Sequence, residues 1–89
     1  MPKVIIEKKT DEELKKIGVP DWGIWTKEVS EFDWSYDCDE QCYILDGNVT
    51  IRTNEGEFII KKGDFVTFKN GLKCRWIIKE AIRKHYNFL

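Results

Sequence analysis

Short apolar runs alternate with turn signals about every ten residues along this 89-residue chain. The turn signals are Asp46-Gly47-Asn48, Asn54-Glu55-Gly56, Lys62-Gly63-Asp64 and Asn70-Gly71. Because glycine tolerates positive φ, an Asp-Gly pair between alternating apolar runs is a strong hairpin signal. The pattern predicts about eight or nine short strands, antiparallel because their connections are short. We therefore expect an all-β sandwich or barrel that forms one domain over residues 1–89.

The predicted strands cover residues 4–6, 24–29, 32–36, 42–45, 49–53, 58–60, 65–68, 72–78 and 82–88. One short N-terminal helix precedes most of them. Thr10-Asp11-Glu12-Glu13 fits a capping box, in which the Thr10 side chain accepts from the Glu13 amide. The helix is expected to end at Gly18, a suitable left-handed terminator, with Pro20 beyond it.

The charge balance excludes several classes of partner. Charged residues make up 35% of the chain, but both signs are interspersed and the net charge is −1. With no basic stripe and no polybasic segment, neither nucleic acid nor a membrane surface is an expected partner. The only early apolar run, Val4-Ile5-Ile6, is too short for a signal peptide or anchor.

The three cysteines lack C-x-x-C spacing, which fits reduced thiols in the cytoplasm. The charged residues are mostly Lys and Glu, and Gln and Met each occur once. That bias leans towards a thermophilic source.

Two glycine-anchored patterns carry a family resemblance. In the first, Glu40 is followed by six residues and Gly47; in the second, Gly63 is followed by Gly71 and Cys74. These spacings resemble the two motifs of the cupin superfamily, G-x5-H-x-H-x3/4-E-x6-G and G-x5-P-x-G-x2-H-x3-N. The resemblance implies a cupin fold, a jelly-roll-like antiparallel β-barrel whose interior holds the functional site.

A narrower resemblance is to the small cupins grouped with the cupin domain of (S)-ureidoglycine aminohydrolase and with the cupin part of ethanolamine-utilisation proteins. The phrases that carry it are 32–36, 40–47, 63–68, 71–76 and 83–86. The enzyme that names the group is a manganese-dependent bicupin. This chain is a single cupin with altered metal positions, so that activity is not carried over.

The cupin metal histidines are replaced here by Trp34, Tyr36 and Cys74. An indole offers only an N–H donor, and a phenol is protonated near pH 7. One carboxylate and one thiolate do not complete a metal site, so we expect no metal and no other cofactor. The alternative is an unusual zinc site that uses Glu40, Cys74 and Cys42.

Glu40 is the candidate acid/base residue, since a desolvated carboxylate has a raised pKa. The alternative is a structural carboxylate held by internal hydrogen bonds or by a lysine. Cys42 shares the face of Glu40 and Cys74 shares that of Trp76, and both thiols are expected to be inert core residues rather than nucleophiles. The expected ligand pocket is lined by Trp34, Tyr36, Glu40, Cys42, Cys74, Trp76, Lys84 and Tyr86.

Two classes of function stay open. The first is a small-molecule enzyme, metal-independent or with atypical metal use, that binds a small polar metabolite, nitrogenous or a carboxylate, in the barrel and uses Glu40 as the acid/base. The second is a non-catalytic ligand-binding or scaffold cupin whose aromatic residues simply fill the barrel. A homodimer is also expected, because the apolar residues 4–6, 24, 88 and 89 exceed what one small core needs.

Overall fold

The computed structural model describes residues 3–89 and confirms an all-β fold with one short N-terminal α-helix. All strand pairs in it are antiparallel. The elements are β1 (Val4–Glu7), α1 (Asp11–Ile17), a 3₁₀ turn (Val19–Asp21), β2 (Gly23–Lys27), β3 (Ser30–Ser35), β4 (Glu40–Thr53), β5 (Gly56–Lys61), β6 (Phe65–Phe68) and β7 (Lys73–Phe88).

Two long strands, β4 and β7, form the spine of the sheet and pair along their length. The first part of β4 also pairs with β6 and its second part with β5, whereas β7 pairs first with β3 and then with β2. The main path is β1-β6-β4-β7-β2, and its two ends are not joined. The described strands therefore wrap around a core as an open sheet rather than as a fully closed barrel.

The predicted hairpin at Asp46-Gly47-Asn48 is wrong. β4 runs through this segment, and its register against β7 shifts there by β-bulges. Gly47 has φ +115°, and a Cβ at this position would lie 2.8 Å from the Ala81 carbonyl oxygen and from the Cα of Ile82. The Asp-Gly signature thus marks a bulge that bends the strand under the close approach of β7. Segments 72–78 and 82–88 likewise belong to one strand, so the described residues form seven strands rather than eight or nine.

The helix and its caps are confirmed. Thr10 Oγ1 accepts from the amide of Glu13, the Glu13 carboxylate accepts from the Thr10 amide, and Gly18 ends the helix at φ +93°. Leu14 packs with Val19 and Phe65, outside the main core. The next residue of β6, Val66, faces the main core, so this strand is buried on both faces. None of the helices among residues 3–89 is long and apolar enough to cross a membrane.

Candidate functional site

An aromatic pocket of about 250 Å³ opens between β2, β3 and the two spine strands. Among residues 3–89, only Glu40 and Lys84 bring charge to its lining. Trp34 and Phe88, which are 52% and 55% exposed, lie at its solvent side. On β7 the lining positions 84, 86 and 88 alternate, as expected for one face of a strand. The seven aromatic side chains that line the pocket are Trp25, Phe32, Trp34, Tyr36, Trp76, Tyr86 and Phe88.

Trp76 forms the inner wall of this pocket. Its ring stacks on Phe32 with centroids 6.0 Å apart and an interplanar angle of 11°, and it meets Trp25 edge-on at 6.0 Å. On the core side, the ring centroid of Phe68 lies 5.7 Å from that of Trp76. Its buried indole N–H has no hydrogen-bond partner among residues 3–89. These contacts fix large rings in position, so the wall offers preformed flat surfaces.

A buried ion pair lies at the base of the pocket. Lys84 Nζ is 3.2 Å from Glu40 Oε2, and the two residues are only 5% and 4% exposed. The ammonium also lies 5.0 Å from the ring centroid of Trp25 and 4.8 Å from that of Trp76. Cations are attracted to aromatic faces, more strongly when desolvated. The opposite charges of Glu40 and Lys84 therefore neutralise each other inside the pocket.

Two polar atoms at this site stay free to meet a ligand. Glu40 Oε2 accepts from Lys84 and from the Cys42 thiol, whereas Oε1 accepts no hydrogen bond from the described residues. Tyr36 also lines the pocket, where the Trp76 indole N–H is the donor next to its oxygen and its own hydroxyl proton has no acceptor within that part of the chain. Burial, and then the Glu40 carboxylate, raise the pKa of Tyr36 well above its usual range, so the phenol remains a donor. The pocket thus presents one acceptor and one donor.

The two buried thiols are not activated. Burial raises the pKa of Cys42 to about 12 and that of Cys74 to about 11, so both are protonated at neutral pH. Cys42 lies beside Glu40, donates to Oε2 at 3.2 Å and accepts from Lys84 at 3.3 Å. These contacts make Cys42 a support of the ion pair.

Six of the eight predicted pocket residues line the pocket, and the two cysteines, Cys42 and Cys74, do not. Trp34, Tyr36, Glu40, Trp76, Lys84 and Tyr86 line the pocket, and Cys42 contacts its ion pair. Cys74 does not line it; it pairs in register with Trp34 and borders a separate surface depression.

Three lining residues were missed from the sequence: Trp25, Phe32 and Phe88. Phe32 lies two residues before Trp34 on the same strand, so strand alternation places both side chains on one face and could have predicted Phe32 as a lining residue. Trp25 and Phe88 reach the pocket only through the pairing of β7 with β2 and β4.

The side chains at the cupin metal positions do not fit a metal ion. Trp34 and Tyr36 supply no neutral nitrogen donor, and the Cys74 thiol stays protonated. Among residues 3–89 there is no group of three His, Cys, Asp or Glu side chains arranged to hold a metal, so Glu40, Cys42 and Cys74 do not form the alternative zinc site. The cation that faces Glu40 is the ammonium of Lys84.

Comparison with known proteins agrees with this fold. The model of the EutQ-like cupin domain family matches residues 14–86. The chain belongs to the EutQ-like cupin family. A DUF861 family protein from Thermotoga maritima is 56% identical to this cupin, with a TM-score of 0.93 over 97% of this chain and 99% of that one. No match was found among curated proteins.

More distant structures share the fold alone. A putative ethanolamine utilization protein Q from Salmonella typhimurium is 20% identical, with a TM-score of 0.68 over 96% of this cupin and 68% of that chain. The EutQ protein of Clostridium difficile is also 20% identical, with a TM-score of 0.68 over 98% of this cupin and 69% of that chain. The resemblance to small cupins of the ethanolamine-utilisation group is confirmed, and it assigns no specific activity.

Proposed function

We propose that this cupin binds a small, uncharged organic molecule with a flat apolar body and a polar end. The observation that carries the proposal is the aromatic pocket with a self-neutralised Glu40–Lys84 pair at its base. Flat rings pack against Trp76 and its neighbours, and the polar end meets Glu40 Oε1 and the Tyr36 hydroxyl. The volume, about 250 Å³, lies just under the ~300–1,000 Å³ that is usual for drug-sized ligands, which favours a small compound.

The charge balance selects among ligands of the same size. An anion or a cation loses most of its hydration in the pocket, and the paired residues offer it no uncompensated charge. A neutral amide loses less, and its N–H and C=O groups complement the free acceptor and donor. The ligand is therefore less polar than the sequence alone suggested.

Two alternatives remain distinct from simple binding. Catalysis by Glu40 without a metal draws support from its unpartnered Oε1, which has no competing hydrogen bond. A scaffold role would be favoured by a barrel that Trp34 and Trp76 fill completely. The half-exposed Trp34 and the open volume beside it favour a binding site instead.

Ligand titration by two-dimensional NMR tests this function with three probes of one shape: benzamide, benzoate and benzylamine. We expect benzamide to shift the indole signals of Trp25 and Trp76 at lower concentration than either charged probe. Absence of any indole shift with all three at millimolar concentration would refute the binding function.

Single substitutions should reverse the preference. Glu40→Gln leaves the Lys84 charge uncompensated and should make benzoate the best probe, whereas Lys84→Met should favour benzylamine. Glu57→Gln is the matched control, because Glu57 pairs with Arg52 away from the pocket. It should keep the preference for benzamide.

A reducing compartment and a homodimer are further parts of this proposal. The free thiols of Cys38, Cys42 and Cys74 support a cytoplasmic location. Of the apolar residues expected at a dimer surface, Val4 is buried in the core, and the exposed ones are Ile5, Ile6, Ile24, Phe88 and Leu89. Light scattering at micromolar concentration tests the dimer, which a monomer mass would refute.

A further inference from the structure

Lys84 is a buried primary amine whose pocket neighbours are aromatic rings and a single carboxylate. We propose that Lys84 forms a Schiff base with a small aldehyde or ketone that enters this pocket. The inference rests on the proposed function only in that the same pocket must admit a neutral organic molecule. It adds a covalent chemistry that ligand binding does not require.

Burial and the neighbouring carboxylate suit the amine for this reaction. Nζ lies between the faces of Trp25 and Trp76, in a site from which bulk water is largely excluded. Desolvated lysines are the ones that react as neutral nucleophiles with carbonyl substrates. Glu40 Oε2, at 3.2 Å, is within reach of the proton that Nζ must lose. The nearby Cys42 thiol is protonated and does not compete for the carbonyl carbon.

The steps balance in atoms and charge. Nζ transfers one proton to Glu40 Oε2, and the neutral amine attacks the carbonyl carbon to form an N–C bond. A proton then moves from this nitrogen to the former carbonyl oxygen, which gives a carbinolamine. Glu40 returns its proton to the hydroxyl group, the C–O bond breaks, and water leaves. The product is a protonated imine beside an ionised Glu40.

The product keeps the positive charge where the ammonium was. The iminium therefore still faces the Glu40 carboxylate and lies between the two indole faces, which stabilise a cation of either kind. The ion pair and the aromatic faces therefore stabilise the reactant ammonium and the product iminium alike, and they disfavour only the transient neutral amine between them. An aldehyde with an aromatic body also keeps the packing that the pocket offers.

Reductive trapping tests the proposal on the 89-residue chain. Benzaldehyde and sodium cyanoborohydride are added at neutral pH, and benzylated lysines are located by peptide mass mapping. We expect labelling of Lys84 to exceed that of Lys27 by about tenfold or more. Lys27 is the matched comparison, because its Nζ also lies over an aromatic ring, that of Phe32 at 5.5 Å, but the residue is exposed.

The double variant Glu40→Gln/Lys84→Met should lose this preferred adduct while its exposed lysines label as before. Equal labelling of Lys84 and Lys27 in the unmodified protein would overturn the Schiff base. Benzyl alcohol, which has the shape of the probe but no carbonyl, separates this failure from that of the binding function. If benzyl alcohol shifts the Trp76 indole signal while trapping fails, the pocket binds ligands and only the covalent chemistry is refuted. If neither occurs, both proposals fail.

Discussion

Removal of Lys84 should destabilise this cupin far more than removal of an exposed charge. Lys84→Met leaves the Glu40 carboxylate buried without its cation, because the side chains of the pair are each only 6% exposed. Breaking a buried pair on one side costs about 3–5 kcal/mol, a large part of the ~5–15 kcal/mol that stabilises a typical domain. In a domain of this size each kcal/mol lowers Tm by about 4–8 °C.

The double variant Glu40→Gln/Lys84→Met isolates the cause. It replaces both charges by neutral groups of similar volume, so its free energy of unfolding should return to within about 1–2 kcal/mol of the unmodified protein. The two substitutions are then strongly non-additive, with a coupling energy of about 3 kcal/mol. Urea unfolding followed by tryptophan fluorescence measures all four members of this cycle.

The pair Arg52–Glu57 is the control. Its atoms are closer, 2.8 Å apart, but its side chains are 58% and 52% exposed. An exposed ion pair contributes about 0–1 kcal/mol, so Arg52→Met and Glu57→Gln should each change stability by less than that and add independently. If Lys84→Met lowers the free energy of unfolding no more than Arg52→Met, burial is not what makes the Glu40–Lys84 pair important. The same conclusion follows if the effects of Glu40→Gln and Lys84→Met are additive.

Three further predictions concern the fold and the thiols. Gly47→Ala should lower the free energy of unfolding more than Gly56→Ala does. Both glycines have positive φ, which strains alanine by about 1–3 kcal/mol, but only at Gly47 would the new Cβ meet backbone atoms at 2.8 Å. Equal shifts of the urea midpoint would contradict the close approach. Thr10→Ala should lower the free energy of unfolding by about 1 kcal/mol in the same assay, because the Glu13 amide then loses the 3.2 Å hydrogen bond to Thr10 Oγ1 that caps the helix. Stability should fall above pH 9, because unfolded thiols ionise near their usual pKa of 9.0 while burial holds Cys42 and Cys74 protonated up to about 12 and 11. Alanine at both positions should flatten the slope between pH 9 and 10, whereas above pH 10 the buried Tyr36, whose pKa is also raised from its usual 10.0, keeps stability falling.

Local patterns predicted the features that local physics controls. The capping box at Thr10 and the termination at Gly18 depend on residues a few positions apart, and both were read correctly. The prediction of a hairpin at Gly47 was wrong because an Asp-Gly pair also occurs at a β-bulge where another strand passes close by. That strand contributes Ala81 and Ile82, which are distant in sequence and give no local signal.

The same distinction applies to the pocket. Motif spacing placed Glu40 in the predicted pocket, strand alternation placed Trp76 on the face of Cys74, and both Glu40 and Trp76 line the observed pocket. Trp25 escaped prediction because its place depends on the register of β2 against β7, where it pairs with Lys84. Register between distant strands is set by the packing of the whole sheet, so its consequences are not visible in any one segment.

The cation beside Glu40 explains how a carboxylate is kept at a cupin motif position that has lost its histidines. A buried carboxylate is costly unless a positive charge or hydrogen bonds compensate it. Lys84 supplies that charge from the opposite spine strand, and the Cys42 thiol donates a second hydrogen bond to the same oxygen. A tethered ammonium thus gives the electrostatic compensation that a bound metal gives in cupins that retain their histidines. It differs from a metal ion in one chemical respect: it carries a proton that Glu40 can accept, and the amine left behind is a nucleophile.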